Sequence, residues 1–261
     1  MLSQDNFEHI LIDKQGPVAI ATLNRPDRLN AVNGRMHTEM ERLPNDFDAD
    51  PDVRALVVTG AGRAFCSGGD FSPSRERGDE RPNPDGGRHM VDNLLDCRKP
   101  VISAVNGYAL GLGATYALLA DVVVASHGTT FGDTHVNMGI GAGDGGGVIW
   151  PLLMGVNRAK YYLMTGEHLP AEEAERIGLV NFLVDDDQLM DKAMEVATRL
   201  ANGPTQAIIA TKVPINKYIK SISNLVLPLS LSLERANFNT EDHTEAVAAF
   251  REKRAANFTG N

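Results

Sequence analysis

The sequence predicts an α/β fold with mostly parallel strands. Short apolar runs alternate with segments of helical spacing, and glycine-rich turns join them. Of the 261 residues, 43% are hydrophobic, enough to fill a sizeable core. That length suits one large domain, or one domain with a small appendage.

Each element has its own signal. Residues 9–13 and 18–23 alternate apolar and polar positions around Lys14-Gln15-Gly16-Pro17, the pattern of a β-hairpin. After a loop at Asn24-Arg25-Pro26-Asp27-Arg28, Met36, Met40 and Leu43 recur at helical spacing within 33–47. The run 53–59 reads as a buried strand ending in Gly60-Ala61-Gly62. Residues 72–88 are dense in Arg, Asp, Glu, Gly and Pro, which cannot bury themselves and predict a mobile loop. A short helix at 90–97 stops at Lys99-Pro100, and 101–105 is the next strand. Residues 106–113 form a glycine-rich turn, and an apolar helix opens at 114–119. A strand at 122–125, a turn at 126–129 and a second glycine-dense loop at 139–147 follow. Residues 170–177 and 187–200 read as amphipathic helices, and the last sixth of the chain is helical. Gly203-Pro204 divides a body, 1–202, from a helical tail, 203–261. No fixed-period repeat is visible.

Composition narrows the function classes. The net charge is −9, from 25 Lys and Arg against 34 Asp and Glu, so no basic face for nucleic acid is expected. A small anion remains possible, because a few local arginines suffice. The longest apolar run, 114–125, contains Asp121 and falls short of the roughly 20 residues a bilayer demands, so no membrane partner is expected. Residues 1–8 are polar and acidic, unlike a signal peptide. Cys66 and Cys97 have no metal spacing and read as free thiols of a reducing, cytoplasmic setting.

Glycine draws attention to possible chemistry. The stretch 141–146 matches G-x-G-x-x-G, but Gly139 and a histidine precede it and Pro151 follows. The context of a dinucleotide site is therefore missing. Two other junctions are more telling. Ala64-Phe65-Cys66-Ser67-Gly68-Gly69-Asp70 follows the 53–59 strand, and Val105-Asn106-Gly107-Tyr108-Ala109-Leu110-Gly111-Leu112-Gly113 precedes a helix. Free N–H groups at such turns stabilise negative charge. A converging pair makes an oxyanion hole, each donor worth roughly 3–4 kcal/mol of barrier. Spacing alone leaves open whether these glycines merely make tight turns.

Several pieces in order along the chain resemble the crotonase (enoyl-CoA hydratase/isomerase) superfamily. They are Leu23-Asn24-Arg25-Pro26, Leu29-Asn30-Ala31, the two junctions above, Lys99-Pro100-Val101-Ile102, and Ala171-Glu172-Glu173-Ala174 with Gly178-Leu179-Val180-Asn181. The tail from Glu241-Asp242-His243 to Arg254 completes the set. The resemblance implies a spiral of ββα units with a C-terminal helical trimerisation region, assembled as a trimer or a dimer of trimers. It implies an acyl-CoA substrate, with CoA entering as part of that substrate, and no separate cofactor or metal. An enolate oxygen would be held by the N–H groups of Gly69 and Leu112; the family usually has glycine at the second place. CoA would lie along Asp27, Leu29, Ala64, Ser67, Gly68, Asp70 and Phe71. Further contacts are implied for Tyr108, Gly111, Thr115, Thr134 and Gly143, and for Phe250 and Lys253 from a neighbouring subunit. Family members often carry Lys where Asp27 stands, so Arg25 or Arg28 would supply the charge.

The departures decide the chemistry. Hydratases of this family use two glutamates, and those positions hold Thr115 and His135 here. A threonine hydroxyl is no base near neutrality, whereas an imidazole with a reference pKa of about 6.5 can serve as acid or base. Asp144 lies in the glycine-dense loop, where it can orient His135 or act as a plain turn or cap residue; Asp133 is a weaker candidate partner. Gly143-Asp144-Gly145 with Val148-Ile149-Trp150-Pro151 is similar to a branch that cleaves cyclic β-diketones by retro-Claisen hydrolysis without CoA. The expected activity is hydration or dehydration of an enoyl-CoA by His135 and Asp144. The alternatives are a C–C hydrolase and a non-catalytic acyl-CoA binder. His37, His243, the remaining histidines and Cys66 read as structural. Leu112 and the 72–88 loop are expected to shape the acyl pocket.

Overall fold

The N-terminal alternation becomes an antiparallel hairpin, β1 (Ile10–Gln15) and β2 (Val18–Leu23), turning at Gly16-Pro17. The structure is a computed structural model that describes residues 1–71 and 86–261. Helix α1 (Gly34–Asp48) starts where the Asn33 side chain accepts the Met36 N–H, and it fully buries Met36, Met40, Leu43 and Phe47. Next come β3 (Ala55–Gly60), β4 (Ala64–Cys66), α2 (Gly86–Asp96) and β5 (Val101–Val105). They lead into β6 (Tyr108–Leu110), α3 (Leu112–Leu118), β7 (Val122–Ser126) and β8 (Thr130–Gly132). A 3-10 turn at His135–Met138 precedes α4 (Gly146–Met154) and α5 (Val156–Thr165). The chain closes with β9 (Leu169–Pro170), α6 (Ala171–Arg176), β10 (Phe182–Val184), α7 (Leu189–Ala201), α8 (Thr205–Asn237) and α9 (Glu241–Glu252).

Two sheets result. The larger runs β1-β2-β3-β5-β7-β10, parallel from β2 onward, and the smaller runs β4-β6-β8-β9 with only β8 and β9 antiparallel. Both faces of the large sheet are covered, which is why 55–59 is apolar without alternation. Leu56 and Val58 point into the main core with α1 and α2 residues, while Ala55 and Val57 meet Leu189, Ala193, Ala197 and Ala201 of α7. Leu227 and Leu231 of α8 join the main core. No helix among the described residues is long and apolar enough to cross a membrane.

Several expectations shift. Residues 106–113 are not one turn: 108–110 pair between β4 and β8 as β6, and the helix opens at Leu112, not at 114. Helix α2 begins at Gly86, so 86–88 are helical; the rest of the predicted 72–88 loop lies outside the described residues. Helix α4 starts at Gly146, inside the predicted glycine loop, and a 3-10 turn, not a strand, precedes that loop.

Candidate active site

Gly69 and Leu112, from the two glycine junctions, line one cavity. Gly111 adopts φ 52° and ψ −123°, a conformation open to glycine, and turns the chain from β6 into α3. The Leu112 N–H thus opens a helix and has no intrahelical acceptor. At the other junction, Val32 donates to Gly68 O and Asp70 donates to Val32 O, a bridge that leaves the Gly69 N–H outside it. Gly69 and Leu112 line the same cavity of ≈ 670 Å³, together with His135, Asp144 and Phe71. A second cavity of ≈ 500 Å³ shares Gly69, Asp70, Phe71 and His135 with the first and runs past Asp27, Arg28, Leu29, Ser67 and Gly68. The two form one groove with a waist at Gly69 and His135.

His135 is clamped at that waist. Its Nδ1–H donates to Asp133 Oδ1 at 2.6 Å, and its Nε2 stands 3.2 Å from Asp144 Oδ2. Thr115 Oγ1 donates to Asp144 Oδ1 at 3.3 Å. Burial opposes a charged imidazole, but Asp144 and then Asp133 outweigh it and hold the His135 pKa well above 6.5. Burial pushes the Asp144 carboxyl up, but the nearby imidazolium and the Thr115 hydroxyl outweigh it and hold it below the usual range. Asp133, expected to be the lesser partner, makes the shorter bond. The three residues offer possible ligand atoms within 4.8 Å of one another. The two ring nitrogens nevertheless face different carboxylates, the arrangement of a proton bridge.

Two further groups reach the large cavity: Glu234, which escaped the sequence reading, and His37, which that reading took as structural. Glu234 comes from α8; burial, and then the Asp144 charge, push its carboxyl up to about 7. His37 comes from α1 with a buried Nδ1 that has no hydrogen-bond partner, and burial lowers its pKa. Each sits on a helix far from His135 in sequence, with no local pattern to mark it.

The remaining predicted residues divide. Thr134, Gly111 and Phe250 line the smaller cavity, and Phe250 does so within its own chain. Gly143 lies against the Glu234 side chain. Ala64 lines neither cavity; its carbonyl accepts the Asn30 amide at 2.7 Å inside β4. Tyr108 lies on β6 with its side chain exposed, away from both cavities. Lys253 is the C-cap of α9 and borders neither cavity. Arg25 lines neither cavity: its Nη1 pairs with Asp70 at 3.1 Å and donates to Ala31 O. The Cys66 thiol is fully buried and pushed up to about 12 by that burial, as a structural cysteine requires.

The enoyl-CoA hydratase/isomerase family model matches residues 13–261. The short-chain-enoyl-CoA hydratase of Clostridium acetobutylicum is 35% identical over 95% of this chain and 96% of its own length. The 1,2-epoxyphenylacetyl-CoA isomerase of Escherichia coli is 36% identical over 97% of this chain and 99% of its own. A crystal structure of an enoyl-CoA hydratase/isomerase from Mycobacterium paratuberculosis superposes with a TM-score of 0.84 at 37% identity, covering 92% of this chain and 97% of that one. Fold, paired glycine turns and whole-length similarity agree, and the chain belongs to the enoyl-CoA hydratase/isomerase (crotonase) family.

Proposed function

We propose that the protein adds water to, or removes it from, an enoyl-CoA through an enolate. The thioester oxygen sits between the Gly69 and Leu112 N–H groups, CoA follows the smaller cavity, and the acyl group enters the larger. In the dehydration direction His135, charged at rest, protonates the departing β-hydroxyl from Nε2, and an ionised Glu234 takes the Cα proton. Hydration reverses both transfers. Asp133 fixes the ring through the 2.6 Å bond, while the looser 3.2 Å approach of Asp144 leaves Nε2 free to exchange its proton. Glu234 thereby supplies a carboxyl that Thr115 and His135 took from the usual pair. The observation that carries this reading is the clamped imidazole in the same cavity as both main-chain donors.

Turnover of crotonyl-CoA tests it. Asp144→Asn is expected to lower kcat by roughly 10²-fold or more, within the range for a positioned proton-transfer group, while free CoA binds as before. Near-normal turnover overturns the assignment.

One observation favours a second reading, retro-Claisen cleavage of a 1,3-diketone. With Arg25 locked to Asp70, Arg28 is the one arginine or lysine among the described residues lining the smaller cavity, beside an acidic Asp27. If free CoA fails to raise the melting temperature, and a cyclic 1,3-diketone is hydrolysed, this reading replaces the first. Assembly through residues 203–261 accompanies either reading. Exposed Tyr218, Leu225, Leu229 and Leu233 on α8 support a subunit contact there, which a trimer mass by light scattering checks.

A further inference from the structure

His243 takes no part in the proton transfers above, yet its ring touches both halves of the waist. Its Nδ1–H donates to Met138 O at 2.7 Å. Met138 ends the 3-10 turn that His135 begins. The same ring meets Phe238 edge-on at 5.0 Å and Phe71 at 6.4 Å between centroids. Phe71 in turn lies against Gly69, where an added Cβ would stand 3.3 Å from its ring edge. One imidazole on α9 therefore braces the turn carrying His135 and the aromatic wall beside the Gly69 N–H.

The turn needs such bracing. A four-residue 3-10 segment has weak internal geometry; it closes with the Gly139 N–H shared between His135 O and Val136 O, and the Ile140 N–H reaches His135 O at 3.2 Å. Gly139, at φ +67°, follows it directly, and a Cβ there would stand 2.8 Å from the His243 backbone. The turn and the start of α9 are thus in main-chain contact. Helix α8 treats the Asp144 segment in the same way: Asn237 Oδ1 accepts the Gly141 N–H at 3.0 Å, and Ser230 Oγ donates to Ala142 O at 3.0 Å.

We infer that His243 is a positioning residue for the reaction: its hydrogen bond to Met138 O sets the direction of the His135 ring between Asp133 and Asp144. The inference rests on the role given to His135 above. The charged groups facing that ring are Asp133, Asp144 and Glu234. Loss of the brace lets the ring drift from the carboxylates that hold its proton. Misplacement by about 1 Å costs up to 10²-fold in rate.

Two variants separate donor from ring. His243→Phe keeps the aromatic contacts and loses the donor; His243→Asn keeps an N–H near the Nδ1 position and loses the ring. The measurement is an NMR titration of the His135 imidazole in the full-length protein, with kcat and KM for crotonyl-CoA alongside. In His243→Phe the His135 midpoint is expected to fall by about one pH unit, a tenfold change in proton affinity. Its kcat is expected to fall roughly tenfold at unchanged KM. His243→Asn is expected to restore both. A wild-type His135 midpoint in His243→Phe, or a His243→Asn no better than His243→Phe, overturns the inference. His135→Gln distinguishes the two levels. If that variant turns over normally, the catalytic reading of His135 fails, while the His135 midpoint in the His243 variants still decides whether α9 orients the ring.

Discussion

Arg25 and His135 are equally buried, with 13% and 12% of their side chains exposed, and each is paired with a buried aspartate beside the same cavity. Arg25 joins the 25–31 loop to Asp70 and closes on Ala31 O. A guanidinium does not surrender its proton under working conditions, so this pair can only hold shape. His135 joins two acids through two nitrogens and can pass a proton between the cavity and its own bridge. Burial and pairing alone do not mark a catalytic charge; an exchangeable proton at an open face does.

The largest effect expected from breaking this contrast is on rate. His135→Gln should lower kcat for crotonyl-CoA by roughly 10³-fold or more, with the fold intact by circular dichroism. Arg25→Met should do the reverse. Removing one partner of a buried pair costs roughly 3–5 kcal/mol, read as a lower denaturation midpoint, while the pH profile of the remaining activity stays in place.

Next comes the pH dependence. Glu234 has a folded value of about 7, above the ordinary 4.5. Its contribution to stability is therefore fully present below about pH 4.5 and lost as pH rises through about 7. His135, also raised, has the same sense, fully present below about 6.5 and lost as pH rises through its folded value. Asp144, lowered, has the opposite sense and is lost as pH falls below about 3.8. On the proposed roles, turnover needs one proton shared between His135 and Glu234. It should peak above about pH 7, where Glu234 ionises, and decline again as His135 loses its charge. In Glu234→Gln the limb below about 7 should flatten, and so should the stability slope between about 4.5 and 7. A limb that persists in that variant would assign it to another group.

Much of this architecture was legible before the structure. The hairpin and α1 announce themselves by apolar periods of two and nearly four residues, and β3, β5 and β7 by short unbroken apolar runs covered on both faces. Strands β4, β6 and β8 are three residues each and lie in glycine-rich stretches, so neighbours define them and no local pattern does. Helix α5 buries only Ala159 and carries no apolar stripe to betray it. Within the site, the glycine turns, His135 and Asp144 could be placed by their motifs. Asp133 could not be ranked, since a carboxylate two residues before a histidine is usually a turn residue. Glu234, His37 and His243 arrive by tertiary packing, which linear spacing does not encode.

The larger cavity takes part of its wall from Leu231, Glu234 and Phe238, which follow His135 far along the chain. The large sheet is complete at β10, before any of these residues, so its pairing does not by itself enclose that cavity. On the proposed roles, docking of α8 against the body is what brings a second proton-carrying group to the cavity that holds His135.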